Sequence, residues 1–406
     1  MTDLGYQPEQ AAVRGLLLAV GEELGRPVPP EWKAAVTAVP RHHFLPDRVW
    51  LEDDDGALRA CDSHIDPERW FQAAYENAPV VTQVNGGNDP DDEDDLWPSS
   101  SASSPTMVVR MLEDLDLRPG LDVLEIGTGT GWNAALLAHR LGPEYVASVE
   151  IDPAVARQAR ASLNAAALNV EVICGDGALG WSPGLPYDRI ISTCAVRRVP
   201  KAWIEQTKPG GIIVTPWDSP MLGWCLLKLT IERGQTHGRF SPHSSFMLMR
   251  NQRTNLRIFR DVVRDGQRPG RSTTRLSPWL VGGNHWEARF ALGLTLDDVW
   301  TTWEHEPDVP GVTTRLWVAT TDAGSWAAVD HDGEQDDRFT VWQFGERRLW
   351  DEVEAAYAWW EANNRPGPAR FGLTITEGGQ QVWLDDPAEK NPFRHLKGAL
   401  DVAELD

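Results

Sequence analysis

The sequence predicts an α/β fold in which a mostly parallel, doubly wound sheet is followed by a C-terminal α+β region. Three observations carry that prediction. Helical and strand patterns alternate from residue 107 to residue 215, a glycine loop follows the first strand of that run, and the rhythm breaks after about residue 250. At 406 residues the chain has room for a large domain and a second unit. The organisation expected is an N-terminal cap over residues 1–105, a central core over 106–250 and an accessory domain over 251–406.

Residues 10–26 carry Ala11, Val13, Leu16, Leu17, Val20 and Leu24 at helical intervals and read as an amphipathic helix, ended by Pro27, Pro29 and Pro30. Residues 85–104 are polar, with Gly86 and Gly87, an acidic run at 89–95 and serines up to Ser104; the acidic run reads as a mobile surface loop. Met107, Val108, Met111, Leu112 and Leu115 form the next helical stripe. After the turn at Pro119 and Gly120 come a strand at 122–126, the glycine loop, a helix at 133–141 and a strand at 145–150, which make one βαβ unit. A helix at 154–166 and strands at 170–174, 189–193 and 211–215 continue the alternation, so a ligand is expected beyond the carboxyl ends of the strands.

Past residue 250 the expected strands are 314–320, 326–330, 339–344, 371–376 and 381–384, with a helix on which Trp350, Val353, Tyr357 and Trp360 share one face. This region holds 11 of the 20 tryptophans. They either fill a dense aromatic core, the default for side chains that are costly to leave in water, or form a peptide-binding surface.

Sixty acidic against 38 basic residues give a net charge of -22, which opposes nucleic-acid binding. Cys61, Cys174, Cys194 and Cys225 lack CxxC spacing and read as reduced, largely buried thiols of a cytoplasmic protein. No stretch approaches the roughly 20 apolar residues of a spanning helix, so no membrane partner is expected. His42 and His43 are adjacent, but without HExxH or paired Cys/His spacing no metal site is expected.

The chemistry concentrates in Val123-Leu124-Glu125-Ile126-Gly127-Thr128-Gly129-Thr130-Gly131-Trp132. An apolar strand running into alternate glycines lets the backbone turn sharply and approach a ligand closely. The dinucleotide pattern GxGxxG would need glycine where Trp132 stands, so GxGxG favours the methionine end of S-adenosylmethionine over a pyrophosphate. Glu150 ends the second strand at the distance from which a carboxylate accepts from ribose hydroxyls; the plainer reading is a solvated strand end. Asp176, in Cys174-Gly175-Asp176-Gly177, is placed to accept from the adenine amine, or else simply forms an Asp-Gly turn.

These marks, with Arg41-His42-His43-Phe44-Leu45-Pro46, Ala74-Tyr75-Glu76-Asn77-Ala78-Pro79, Ser101-Ala102-Ser103-Ser104-Pro105-Thr106-Met107, Pro186-Tyr187-Asp188 and Lys208-Pro209-Gly210-Gly211, resemble the protein-L-isoaspartate O-methyltransferase family. The resemblance runs from about Arg41 to Trp217. It implies a Rossmann-like class I methyltransferase fold that binds S-adenosylmethionine and releases S-adenosyl-L-homocysteine, with Glu125, Gly127, Thr128, Gly129, Gly131, Glu150, Ile151, Asp176 and Gly177 as cofactor-binding residues. It also makes residues 1–105 a cap that includes the substrate rim. Ser103 matches the family's serine beside the substrate carboxylate and is the expected catalytic residue, with Ser101, Ser103 and Ser104 binding substrate. For a serine in such a run, a helix N-cap is the competing role.

Thr130 and Trp132 stand where the family usually has serine and tyrosine, and short members lack the region after residue 250. Longer members with such a tail resemble enzymes that esterify an aspartate in ribosomally made peptides such as lanthipeptides and graspetides, leading to aspartimide or isoaspartate. Peptide maturation is therefore the leading expectation. Repair of isoaspartyl proteins is the alternative within the same chemistry, and a non-catalytic, cofactor-binding adaptor that recruits proteins through its tail is the alternative of another class. If the tail only holds peptide, its deletion after about residue 250 leaves cofactor affinity nearly intact. The peptide's identity, the final product and the oligomeric state are not legible in the sequence.

Overall fold

The computed structural model describes residues 6–388 except 54, 89–95, 185, 233, 243 and 335–336. The acidic run at 89–95, expected to be a mobile loop, lies outside the described residues. The α/β fold is present, and its centre is a nine-stranded sheet.

Five strands of that sheet are parallel, in the order Glu171–Cys174, Val146–Glu150, Val123–Ile126, Tyr187–Ser192 and Thr207–Trp217. Val123–Ile126 and Val146–Glu150 are buried along their whole length, as suits strands covered on both faces by helices. The helix Trp132–Leu141 follows the glycine loop, and Pro153–Ala165 follows the next strand. Local chemistry fixes the second helix start: Asp152 accepts from the amides of Ala154 at 2.9 Å and Val155 at 3.3 Å, and Pro153 occupies the first turn.

The sheet then becomes antiparallel through Cys225–Glu232 and Gln235–Pro242, a hairpin that the sequence reading does not include, and continues into Phe371–Thr376 and Gly379–Leu384. It therefore crosses the division drawn at residue 250. The rest of the tail forms a separate five-stranded antiparallel sheet of Gly270–Thr274, Phe339–Phe344, Trp326–His331, Thr314–Thr320 and Val299–His305. The helices Trp286–Thr295 and Leu349–Ala362 pack together beside it. One continuous core runs from Leu124 and Ile213 through Phe240, Phe290 and Phe371 to Trp350 and Val341.

Five tail tryptophans, Trp317, Trp326, Trp350, Trp360 and Trp383, are buried, whereas Trp279 and Trp286 are exposed. The aromatic content thus serves packing first.

A four-stranded antiparallel sheet forms the N-terminal cap: Leu58–Asp62, Arg48–Glu52, Val80–Val84 and Pro98–Ala102. Ser99, Ser100 and Ser101 consequently stand in a strand, not in the polar loop expected, because Val80–Val84 supplies a pairing edge and Gln83 Oε1 accepts from Ser99 Oγ at 2.8 Å. Among the described residues, no helix is long and apolar enough to cross a membrane.

Candidate active site

The glycine loop begins where Val123–Ile126 ends, and its backbone is tied to the neighbouring strand. The amides of Gly127 and Thr128 donate to the Val149 carbonyl at 2.8 and 3.3 Å. Gly127 has φ of +89°, and a Cβ there would lie 2.6 Å from Thr193 Oγ1 and 2.8 Å from Cys194 Sγ, so no larger residue fits. Gly131, also at positive φ, starts the helix Trp132–Leu141.

Glu150 closes the loop from the side. Its Oε2 accepts from the Gly129 amide at 2.9 Å and its Oε1 from the Asp152 amide at 3.0 Å. Burial raises its pKa. Each oxygen keeps a second lone pair, so the fixed carboxylate can still accept from a ligand hydroxyl. Asp176 follows the strand Glu171–Cys174, and its Oδ1 accepts from the Ala178 amide at 2.9 Å. A Cβ on Gly177 would meet Ile126 Cγ2 at 2.4 Å, so glycine permits the close approach of these two strand ends.

Together these groups line a cleft of about 700 Å³, its open mouth included, which holds Gly127, Gly129, Glu150, Ile151, Asp176 and Gly177. Ser99, Ser100 and Ser101 of the cap form its opposite wall. A smaller adjoining hollow contains Ser103, Thr128, Thr130, Trp132 and Phe246, and it shares Ser101, Gly127, Gly129 and Thr193 with the first. The two spaces have a common wall at the glycine loop.

Three expected site residues stand elsewhere. Glu125 is fully buried behind the loop, where its Oε1 accepts from Asn133 Nδ2 at 2.6 Å and its Oε2 accepts from Ser148 Oγ, so it braces the loop without facing the cleft. Burial pushes its pKa up to about 7. Gly131 lines neither space and shapes the helix start instead. Ser104 occupies the N-cap position of Pro105–Asp114 without a side-chain cap bond, and its Oγ reaches Asn77 Oδ1 at 3.5 Å, away from both hollows. Asn77 Oδ1 accepts from the Thr106 amide at 3.0 Å and so takes over the capping role.

Several cleft residues escape the sequence reading. Thr193 and Cys194 follow the strand Tyr187–Ser192, and burial pushes the Cys194 thiol up to about 12. The segment Met247, Leu248, Met249, Arg250, Asn251 and Arg253 covers another side. It is pinned by the Ala195 amide donating to the Met247 carbonyl and the Met249 amide donating to the Ala195 carbonyl, both at 2.9 Å. Arg250 Nη2 bonds Asp152 Oδ2 at 3.0 Å, and Asn251 Nδ2 bonds Asp176 Oδ2 at 3.3 Å. An apolar run ending in Arg-Asn is the available sequence signal, but a domain boundary at 250 cuts through it.

A family model described as protein-L-isoaspartate(D-aspartate) O-methyltransferase matches residues 57–223. Over 184 residues the chain is 49% identical to protein-L-isoaspartate O-methyltransferase 2 of Archaeoglobus fulgidus, which covers 45% of this chain and 68% of the relative. The chain belongs to the protein-L-isoaspartate O-methyltransferase family. A second family member, protein-L-isoaspartate O-methyltransferase of Ignicoccus hospitalis, is 41% identical over 152 residues, 37% of this chain and 65% of its own length. The members from Pyrococcus horikoshii and Pyrococcus abyssi are matched over 58% and 60% of theirs, so the chain spans less than two thirds of these relatives. A solved structure titled protein-L-isoaspartate O-methyltransferase aligns over 92% of this chain and all of its own, with 21% identity and a TM-score of 0.53, and shows the shared fold.

Proposed function

We propose that the chain is an S-adenosylmethionine-dependent carboxyl O-methyltransferase acting on an aspartyl or isoaspartyl side chain of a peptide or protein. The observation that carries this reading is the convergence of Gly127, Gly129, Glu150 and Asp176 on one cleft that shares Ser101, Gly127, Gly129 and Thr193 with the hollow containing Ser103. The cleft fits the cofactor chemically. Carboxylates held by backbone amides would accept from ribose hydroxyls and an adenine amine, and glycines in the loop would let a cofactor approach the backbone closely.

When bound, S-adenosylmethionine supplies a methyl group activated by its sulfonium. A substrate carboxylate is already ionised at neutral pH and needs no general base. Ser103 donates a hydrogen bond to one carboxylate oxygen and leaves the other free to attack, while Phe246 and Trp132 keep water from the hollow. Methyl transfer from the bound cofactor would form one oxygen–carbon bond and break one carbon–sulfur bond, the opposite charges of carboxylate and sulfonium cancelling.

For the substrate, our reading is an aspartate in a modified ribosomal peptide, esterified on the way to aspartimide or isoaspartate. What supports it is the pair Thr130 and Trp132 at the rim, where serine and tyrosine are usual; the second sheet is common to both readings, since the solved structure titled protein-L-isoaspartate O-methyltransferase aligns over 92% of this chain. Repair of isoaspartyl proteins is the second reading, favoured by the names of the relatives. Incubation with radiolabelled S-adenosylmethionine and either a linear isoaspartyl peptide or a cyclised, aspartate-containing precursor separates the two. Turnover of the linear peptide alone would replace the first reading by the second, and cofactor binding without any methylation would replace both by an adaptor role.

A further inference from the structure

Away from the cleft, the fold brings together three donor side chains from two elements. Glu9 belongs to the helix Tyr6–Leu24, and His42 and His43 to the turn Arg41–Phe44. One ligand atom from each lies within 4.8 Å of the other two. His42 Nε2 is 3.9 Å from Glu9 Oε2, and the two imidazole centroids are 4.0 Å apart. The second ring nitrogen of His42, Nδ1, is 2.6 Å from the hydroxyl of Tyr75, at the end of the helix Pro67–Tyr75.

We propose that Glu9, His42 and His43 form a binding site for a divalent transition-metal ion of the zinc type. Imidazole nitrogen and carboxylate oxygen hold zinc at about 2.0–2.2 Å, which sets neighbouring donors of a tetrahedral centre about 3.3–3.6 Å apart. The His42 to Glu9 separation is close to that spacing, and His43 is exposed and has room to swing inward. Tyr75 supports the set from behind, through its contact with His42 Nδ1. In the tautomer with its proton on Nδ1, His42 donates to the Tyr75 oxygen and turns the Nε2 lone pair toward the ion, the arrangement that metal-bound histidines ordinarily require. Two neutral imidazoles and one carboxylate suit a borderline divalent ion, and water completes the coordination on the open side of His43.

The ion ties the N-terminal helix to the turn that begins with Arg41, whose guanidinium holds the carbonyls of Ala102 and Ser103. Its role is structural: it fastens the outer layer on which the serine rim rests. The sequence hides this site because Glu9 lies on a different element from the histidine pair.

The test uses the full-length chain, freed of metal by a chelator and dialysed. Calorimetric titration with zinc chloride is expected to show saturable binding of one equivalent at sub-millimolar concentration, with a rise in thermal midpoint. Cobalt substitution is expected to give the intense visible bands of a four-coordinate nitrogen and oxygen site. His43→Ala and Glu9→Gln, both at partly or fully exposed positions, are each expected to weaken zinc binding roughly tenfold or more without changing the far-ultraviolet dichroism. Unchanged zinc affinity in His43→Ala, or no saturable binding to the parent chain, would overturn the site and leave the histidines as part of an aromatic cluster with Phe71 and Tyr75. Methylation activity has no part in the readout, so the outcome is independent of the proposed reaction.

Discussion

The Arg41 guanidinium donates to the Ser103 carbonyl at 3.1 Å. It also serves the carbonyls of Ala74, Glu76, Ala78 and Ala102 at 3.0–3.2 Å, and is itself fully buried. Burial lowers its pKa to about 10, which leaves it charged near neutrality. One side chain thus fixes the strand and helix junction that carries Ser103. Arg41→Met strands these carbonyls and is expected to cost about 3 kcal/mol or more in urea unfolding. A loss below about 1 kcal/mol would mean that water takes over the bonds.

Glu125 should give the protein an unusual pH response. Its folded pKa, about 7, is above the 4.5 of the free side chain. Between those values the folded chain keeps a proton that the unfolded chain releases, so stability falls as pH rises through that window. Glu125→Gln preserves the shape, and its amide group can donate to Ser148 Oγ while Ser148 donates to Thr128 Oγ1, 2.6 Å away. The variant is expected to be about 3 kcal/mol more stable than the parent at about pH 8, with little difference at about pH 4. Urea curves that show the same pH dependence in both proteins would refute the assignment.

The parallel strands and the glycine loop are legible in the sequence because buried strands read as apolar runs and the ends that line the cleft are marked by glycine and carboxylate. Glu150, Asp176 and Gly127 follow that logic. Glu125 does not, since a carboxylate inside a fully buried strand resembles a ligand-binding one until Asn133 and Ser148 are seen to occupy it. The place of the segment around Arg250 beside the cleft is hidden for a different reason: its partners Asp152 and Asp176 are remote in sequence, and only the completed sheet brings them within reach. The serine strand is missed because pairing with Val80–Val84, not intrinsic propensity, makes it a strand.

Ser103→Ala should reduce kcat by about tenfold, the worth of one hydrogen bond made in the transition state, while the dissociation constant for S-adenosylmethionine stays unchanged. Single-turnover methylation and equilibrium dialysis measure the two quantities separately. Equal losses in both would move Ser103 from the substrate to the cofactor. Full activity would shift the role to Ser101, which borders both spaces.

Deletion after residue 250 is a harsher change than the sequence suggests. It removes Asn251 and Arg253 from the cleft and strips Phe371, Leu373 and Ile375 from the core. The edge of Gln235–Pro242 is left bare. The fragment is expected to aggregate or to lose cofactor binding. A gentler probe is Arg250→Ala, which breaks the bond to Asp152 and is expected to weaken S-adenosylmethionine binding roughly three- to tenfold with little effect on folding. A soluble fragment of residues 1–250 with parental cofactor affinity would contradict this account.

Gln235–Pro242 and Phe371–Thr376 are adjacent in the nine-stranded sheet, yet the five-stranded sheet is made wholly from residues between them. That sheet is therefore anchored at two points, leaving and rejoining the body through neighbouring strands. A unit on a single tether can swing; one held by both of its ends keeps its bearing. The five-stranded sheet therefore keeps a nearly constant bearing on the nine-stranded one, with which it shares a single continuous core.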